Sequence, residues 1–222
     1  MCERENIEYV ACSSALALQY DMEAGNAEVA DAVSHHEPLL GYVYVNPNYL
    51  SSSMDQMQRY LCSEDFVGVK IHPRFSNTPE NAPEMAKLIA AVADHADLLL
   101  MHTVDQNAAV QMGRYAEAHS GLSIVLAHAA HTDYIAAARV AAEQDNIYLD
   151  FCCEWPGSGK IRKAIEICGA EKIVFGTDMD LLDPSFTRGM FEEARLSDDE
   201  QTLIYRENAR RLLGFSEPMD AR

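Results

Sequence analysis

The chain has 222 residues, with 17 Lys and Arg against 35 Asp and Glu, a formal net charge of −18. Apolar residues make up 48% and charged residues 23%, which excludes a disordered chain and is ample for a real core. So acidic a surface repels phosphate backbones, which argues against nucleic acid as a partner. The longest apolar runs, Leu98-Leu99-Leu100-Met101 and Ile89-Ala90-Ala91-Val92-Ala93, are too short to span a membrane. The opening Met1-Cys2-Glu3-Arg4-Glu5-Asn6 has neither the basic nor the apolar region of a secretory signal. Cys2, Cys12, Cys62, Cys152, Cys153 and Cys168 are scattered without a CxxC pair, as expected of reduced thiols in a cytoplasmic protein. Adjacent Cys152 and Cys153 could bind a soft metal, but buried thiols are the simpler reading.

Along the chain, short β-branched or aliphatic runs alternate with helical patterns, and no linker divides them; residues 1–222 read as one domain. A first strand at 7–12 is followed by a helix that stops at His35-His36-Glu37-Pro38, where positive charge suits a helix C-terminus. After a strand at 40–45, Ser53-Met54-Asp55-Gln56 reads as a capping box. A strand at 66–71 leads to Thr78-Pro79, read as N-cap and first helical residue, and to a helix at 82–95. That helix carries Met85, Leu88, Ile89 and Val92 on one stripe. Further strands are expected at 97–101, 123–127, 146–151 and 172–175, and Ser197-Asp198-Asp199-Glu200 is a second capping box. The strand starts recur at close to the ~30-residue βαβ period. Seven βα units of this kind predict a parallel sheet with helical cover: a TIM-type (β/α)8 barrel, incomplete at seven strands, or a doubly wound sheet.

Strand parity separates two environments. One set is apolar: Val43, Val45, Val67, Val69, Ile71, Leu99, Met101, Val125, Ala127, Ile147, Leu149, Phe151, Ile173 and Phe175. The opposite set is mixed and turns polar at the strand ends, through Lys70 to His72, then His102, His128, Asp150-x-Cys152 and Asp178. A face packed on helices should be apolar, whereas a barrel interior opening into an active-site mouth should turn polar toward the strand C-termini. Parity therefore points His72, His102, His128 and Asp178 the same way.

Imidazoles and a carboxylate at such a mouth are ligand types for Zn²⁺, Mn²⁺ or Fe²⁺, zinc being the first expectation. A cation there would acidify a bound water, and Asp178 could take its proton. Three other patterns carry no chemistry. Trp155-Pro156-Gly157-Ser158-Gly159-Lys160-Ile161 looks like a phosphate loop, but Lys160 is followed by Ile, and a βα loop is the simpler reading. His128-Ala129-Ala130-His131 lacks the glutamate and spacing of a zincin helix. Asp198–Glu200 is a solvated helix start.

Taken together, Gly41-Tyr42-Val43-Tyr44-Val45-Asn46-Pro47, Gly68-Val69-Lys70-Ile71-His72-Pro73, Leu100-Met101-His102-Thr103 and Val125-Leu126-Ala127-His128 resemble the amidohydrolase-2 branch of the amidohydrolase superfamily. Asn146-Ile147-Tyr148-Leu149-Asp150, Lys172-Ile173-Val174-Phe175-Gly176-Thr177-Asp178 and the closing Glu207-Asn208-Ala209-Arg210-Arg211-Leu212-Leu213-Gly214-Phe215 continue the resemblance. It implies a metal-dependent barrel hydrolase or decarboxylase in which His102 and His128 bind metal, His128 binding it or polarising substrate, and Asp178 is ligand and general base. Lys70 is read as structural or substrate-facing, and His72, which by itself reads as a hydrogen-bonded core group, is the other substrate-binding candidate.

The departures are specific. The family opens with a strand bearing His-x-His, and this chain contains none; its strand at 7–12 aligns with the family's second. Ala129 and Ala130 stand where the family has glycines, and Asp180 where it has proline. Three readings follow: a metal-assisted hydrolase or decarboxylase of small carboxylate-bearing or cyclic substrates; a metal-free hydrolase, like the family's pyrone-dicarboxylate lactonases, with His102 and His128 as electrophilic stabilisers; or a degenerate barrel serving as a binding or assembly subunit. A barrel short of one strand has two open edges, at 7–12 and 172–175, so a homo-oligomer is expected, unless residues 1–6 or the C-terminal helix cover them.

Overall fold

A computed structural model describes residues 2–152, 157–179 and 181–215; Met1, Cys153, Trp155, Pro156 and Asp180, named above, lie outside the described residues. The chain divides into two compact units, Met1–His102 and Thr103–Arg222. All seven expected strands are present and run parallel with their sequence neighbours in each unit.

The first unit runs α1 (Cys2–Glu5), β1 (Val10–Cys12), α2 (Ala15–Gln19), α3 (Met22–His35), β2 (Leu39–Tyr44), α4 (Leu50–Tyr60), β3 (Phe66–Ile71), α5 (Pro73–Ser76), α6 (Pro83–Ala93) and β4 (Leu98–His102). Its strand order is β1-β2-β3-β4, with Cys12 opposite Gly41, Tyr44 opposite Lys70 and Lys70 opposite Leu100. Val43, Val45, Val69, Ile71, Leu99 and Met101 of the apolar parity set are fully buried, with Val67 half-buried, and so are Met85, Leu88, Ile89 and Val92 of α6. Each such side chain contributes about 1.5–3 kcal/mol by leaving water. Buried Asn26 on α3 ties the layers together: its amide donates to the Tyr44 carbonyl (3.0 Å) and Gln56 Oε1 (3.1 Å), and its oxygen accepts the Tyr44 N–H (2.9 Å).

Two expected helix starts are corrected. Ser53 lies inside α4, fully buried, where it donates to the Asn46 carbonyl and accepts the Asn46 N–H, both at 3.0 Å. Thr78 precedes α6 by a full turn and donates to Asn48 Oδ1 (3.2 Å) and the Ser76 carbonyl (3.1 Å). In both places the hydroxyl holds a βα loop instead of a helix end; the local cap pattern loses to a loop that needs its own polar groups satisfied.

The second unit runs α7 (Gln106–Ala118), β5 (Ser123–Ala127), α8 (Tyr134–Glu143), β6 (Ile147–Asp150), α9 (Lys160–Cys168), β7 (Ile173–Val174), α10 (Pro184–Glu193), α11 (Asp198–Thr202), a π-helical turn Leu203–Glu207 and α12 (Asn208–Leu212). Strand order is β5-β6-β7. Ile147, Leu149, Phe151 and Ile173 are fully buried. The capping box at Ser197 and Glu200 forms as expected. Arg162 on α9 joins it, with Nη1 and Nη2 on Glu200 (2.7 and 2.9 Å) and further bonds to the Ala194 and Arg195 carbonyls. Beside β7, Asn208 donates to the carbonyls of Ala170 (2.8 Å) and Ile173 (2.7 Å), so the C-terminal helix satisfies backbone that a further strand would otherwise claim. The loop before α9 holds a carboxylate of its own: Ser158 and the Gly159 N–H donate to Glu193, at 2.9 and 3.0 Å. Ser158 and Gly159 form the turn that leads into α9. No described helix is long and apolar enough to cross a membrane.

Candidate active site

The polar parity set lies where the strands end. In the first unit, Lys70 is buried on β3, and His72 follows that strand as the N-cap of α5. The His72 ring lies on the His102 ring at the end of β4, centroids 3.7 Å apart and planes at 18°, with Phe75 on it at 4.2 Å. His72 Nδ1 accepts the Phe75 N–H at 3.4 Å. A backbone N–H can only donate, so neutral His72 carries its proton on Nε2.

In the second unit, His128 ends β5 with opposite chemistry. Its Nδ1 meets the Cys152 carbonyl at 2.5 Å, and a carbonyl can only accept, so Nδ1 bears the proton. Nε2 of the neutral ring is then the acceptor. Cys152 follows β6 and is itself fixed by Asp150: the Cys152 N–H donates to Asp150 Oδ1 at 2.9 Å and the thiol to Oδ2 at 3.0 Å. Room for that carboxylate comes from Gly176 after β7, where a Cβ would stand 2.3 Å from Asp150 Oδ1.

The chain leaves His128 through four consecutive left-handed residues: His128 (φ 70°), Ala129 (46°), Ala130 (61°) and His131 (50°). Such backbone costs an L-residue about 1–2 kcal/mol, and none of the four is glycine. The turn is held by the Thr103 N–H on the Ala127 carbonyl and the Ala130 N–H on the Thr103 carbonyl, both 3.1 Å, with both alanine methyls fully buried. The His131 ring stands 5.2 Å from that of His128.

Asp178, beyond β7, is half-buried and also left-handed (φ 54°). Its carbonyl accepts the Leu182 N–H at 3.1 Å. Its carboxylate makes no hydrogen bond or ion pair among the described residues, and the turn after it is closed by Thr177, whose hydroxyl accepts the Met179 N–H. Among the described residues, no group of three or more His, Cys, Asp or Glu side chains is placed to hold a metal ion.

His72 thus meets His102, as their shared parity suggests, and Asp150 and Cys152, of the same parity set, meet His128. The signal for Asp150 was present: an inward carboxylate two positions before an inward thiol, next to a strand that carries glycine.

A family model described as amidohydrolase matches residues 10–215. The chain belongs to the amidohydrolase family. It is an enzyme of that family, whose fold is the TIM-type (β/α) barrel, here with seven strands. Among solved structures, 2,6-dihydroxybenzoate decarboxylase from Rhizobium superposes with a TM-score of 0.79 at 15% identity, over 97% of this chain and 87% of that one. A dihydroxybenzoic acid decarboxylase from Polaromonas, with manganese and 2-nitroresorcinol bound, gives 0.69 at 15%, over 94% and 79%. A probable 2-pyrone-4,6-dicarboxylic acid hydrolase from Acinetobacter baumannii, with citric acid bound, gives 0.68 at 17%, over 96% and 86%. No curated protein sequence matches the chain.

Proposed function

We propose that this amidohydrolase hydrolyses or decarboxylates a small carboxylate-bearing or cyclic substrate, with Asp178 as general base and His102 and His128 beside the reacting carbon. The observation that carries the reading is the Asp178 carboxylate: held at a strand end in left-handed backbone, it caps no loop amide among the described residues. A group kept in such a conformation without a structural bond is suited to a proton. In hydrolysis, Asp178 takes a proton from water as the water oxygen bonds the carbonyl carbon. The ring C–O bond then breaks, and the proton returns to the leaving oxygen. In decarboxylation Asp178 first takes a proton from solvent and delivers it to the carbon that bears the carboxylate; the C–C bond then breaks to release CO₂, and Asp178 is left ionised. Buried Lys70 and His72 are proposed as substrate-facing groups, Lys70 by charge and His72 through its Nε2–H.

A divalent cation, zinc foremost, would draw on His102, His128 and Asp178 and would acidify a bound water. A second reading is a metal-free lactonase-type hydrolase, which the likeness in fold to a probable 2-pyrone-4,6-dicarboxylic acid hydrolase supports. We also take the chain as a single catalytic domain and a homo-oligomer, since β1 is a short edge strand with half-exposed side chains. Free thiols at Cys12, Cys62, Cys152 and Cys168 suit the cytoplasm.

The test is turnover of 2,6-dihydroxybenzoate and of 2-pyrone-4,6-dicarboxylate by the purified chain and by Asp178→Asn, with elemental analysis of both proteins. Asp178→Asn should lose roughly 10²–10⁴-fold in turnover with an unchanged circular dichroism spectrum. Full activity in the variant sinks the assignment of the base. Stoichiometric metal in an active wild type decides against the metal-free reading.

A further inference from the structure

We propose that Asp150 is a positioning residue for His128: it pins Cys152 by its N–H and thiol, and the carbonyl of that residue in turn holds His128 with the proton on Nδ1 and Nε2 as acceptor. The inference rests on the proposed function only in placing His128 at the reaction; the geometry stands by itself.

The chain of contacts has one direction at every link. Asp150 Oδ1 accepts the Cys152 backbone N–H (2.9 Å) and Oδ2 the thiol (3.0 Å), so the residue is gripped on its backbone and on its side chain, which fixes the Cα from which its carbonyl projects. The Cys152 carbonyl then meets His128 Nδ1 at 2.5 Å. The thiol lies 3.8 Å from the same nitrogen, but Nδ1 already bears a hydrogen and cannot accept from it. All three side chains are buried, with relative exposures of 7% for His128 and Asp150 and 4% for Cys152, so few water molecules compete for these bonds.

The role assigned to His128 follows. Of its two proposed parts, electrophile or acceptor, the neutral Nδ1–H ring supplies only the second at Nε2: it can take a proton or bind a cation, and it polarises a substrate oxygen only after being protonated. Gly176 completes the device, because its missing Cβ leaves the space that Asp150 Oδ1 occupies. The substitution Gly176→Ala therefore reaches His128 through two intermediaries without touching it.

The experiment is imidazole nitrogen NMR on the full chain treated with chelator, His128 being assigned by the loss of its signals in His128→Asn. The wild type should show His128 predominantly as the Nδ1–H tautomer, and Cys152→Ser, whose hydroxyl can replace the thiol, should preserve it. Asp150→Ala and Gly176→Ala should each lose that dominance, with a fall of about 10–100-fold in kcat on whichever of the two substrates is turned over. A wild-type ring protonated on Nε2 overturns the inference, as does an unchanged tautomer in both variants. Should Asp150→Ala not fold, the wild-type and Gly176→Ala spectra decide alone. Failure of the base assignment would show in Asp178→Asn turnover and leave the His128 tautomer where it is, so the two ideas fail separately.

Discussion

His72 and His128 end strands in different units and are held in opposite ways. His72 sits in ordinary extended backbone, stacked on His102 and touching the tilted ring of Phe75, and receives a backbone N–H on Nδ1. His128 sits in left-handed backbone and gives its Nδ1 proton to a backbone carbonyl. One ring is left a donor and the other an acceptor, though the two residues look alike in sequence. The bond that each Nδ1 makes, rather than the residue type, sets the tautomer of the ring.

The largest effect should come from replacing the acceptor while keeping its anchor. In His128→Asn the amide can still donate to the Cys152 carbonyl but has nothing in place of Nε2. Turnover should fall roughly 10²–10⁴-fold with little change in melting temperature. An equal loss of stability would show that the ring serves packing first. The next effect is on stability in acid and belongs to the second unit. Hydrogen bonds from Arg162 and the Ser197 N–H hold the Glu200 carboxyl down at about 2 against an ordinary 4.5. A depressed carboxyl stabilises the fold above its unfolded value, and that contribution is lost as pH falls from 4.5 toward about 2. Arg162→Met should destabilise the protein by about 1–3 kcal/mol near neutrality and flatten this acid limb in urea titrations. A parallel shift at every pH would mean that the pair does not report on folding.

His72→Ala removes an N-cap and a stacked ring and should cost about 1 kcal/mol, whereas His72→Asn, whose oxygen can accept the Phe75 N–H, should recover most of it. The smallest change goes the other way. Ala129→Gly and Ala130→Gly relieve left-handed strain of about 1–2 kcal/mol each and add back about 0.5–1 in chain entropy. Each should raise stability by about 0.5–1 kcal/mol, or roughly 2–4 °C per kcal/mol. A fall in melting temperature would show that the buried methyl groups matter more than the backbone.

The strands were legible because burial on the helix side enforces period-two patterns; Val69 and Ile71, or Leu99 and Met101, have no other place to go. Strand ends read less well: β1 is Val10–Cys12 and β7 Ile173–Val174, shorter than the hydrophobic runs, since pairing stops where a neighbour does. The site was legible as residue types at strand ends. Its working details lay in hydrogen bonds between distant residues, such as Asp150 to Cys152 to His128, which no periodicity encodes. The alanines of the left-handed turn concealed the bend that glycines would have announced. Ser53 and Thr78 misled because a hydroxyl that caps a helix and one that closes a loop leave the same local pattern.

Asn146, just before β6, donates its side-chain amide to the carbonyls of Ala116 (3.1 Å), His119 (3.2 Å) and Leu122 (2.8 Å), the end of α7 and the turn after it. One side chain outside the helix thus does the work of a C-terminal cap. The last turn of α7 cannot fray alone while β6 is in place, nor can the start of β6 detach without uncapping the helix. In native-state hydrogen exchange, these two stretches should open as a single unit with a common free energy, although 27 to 30 positions of sequence separate the bonded groups of Asn146 from His119 and Ala116.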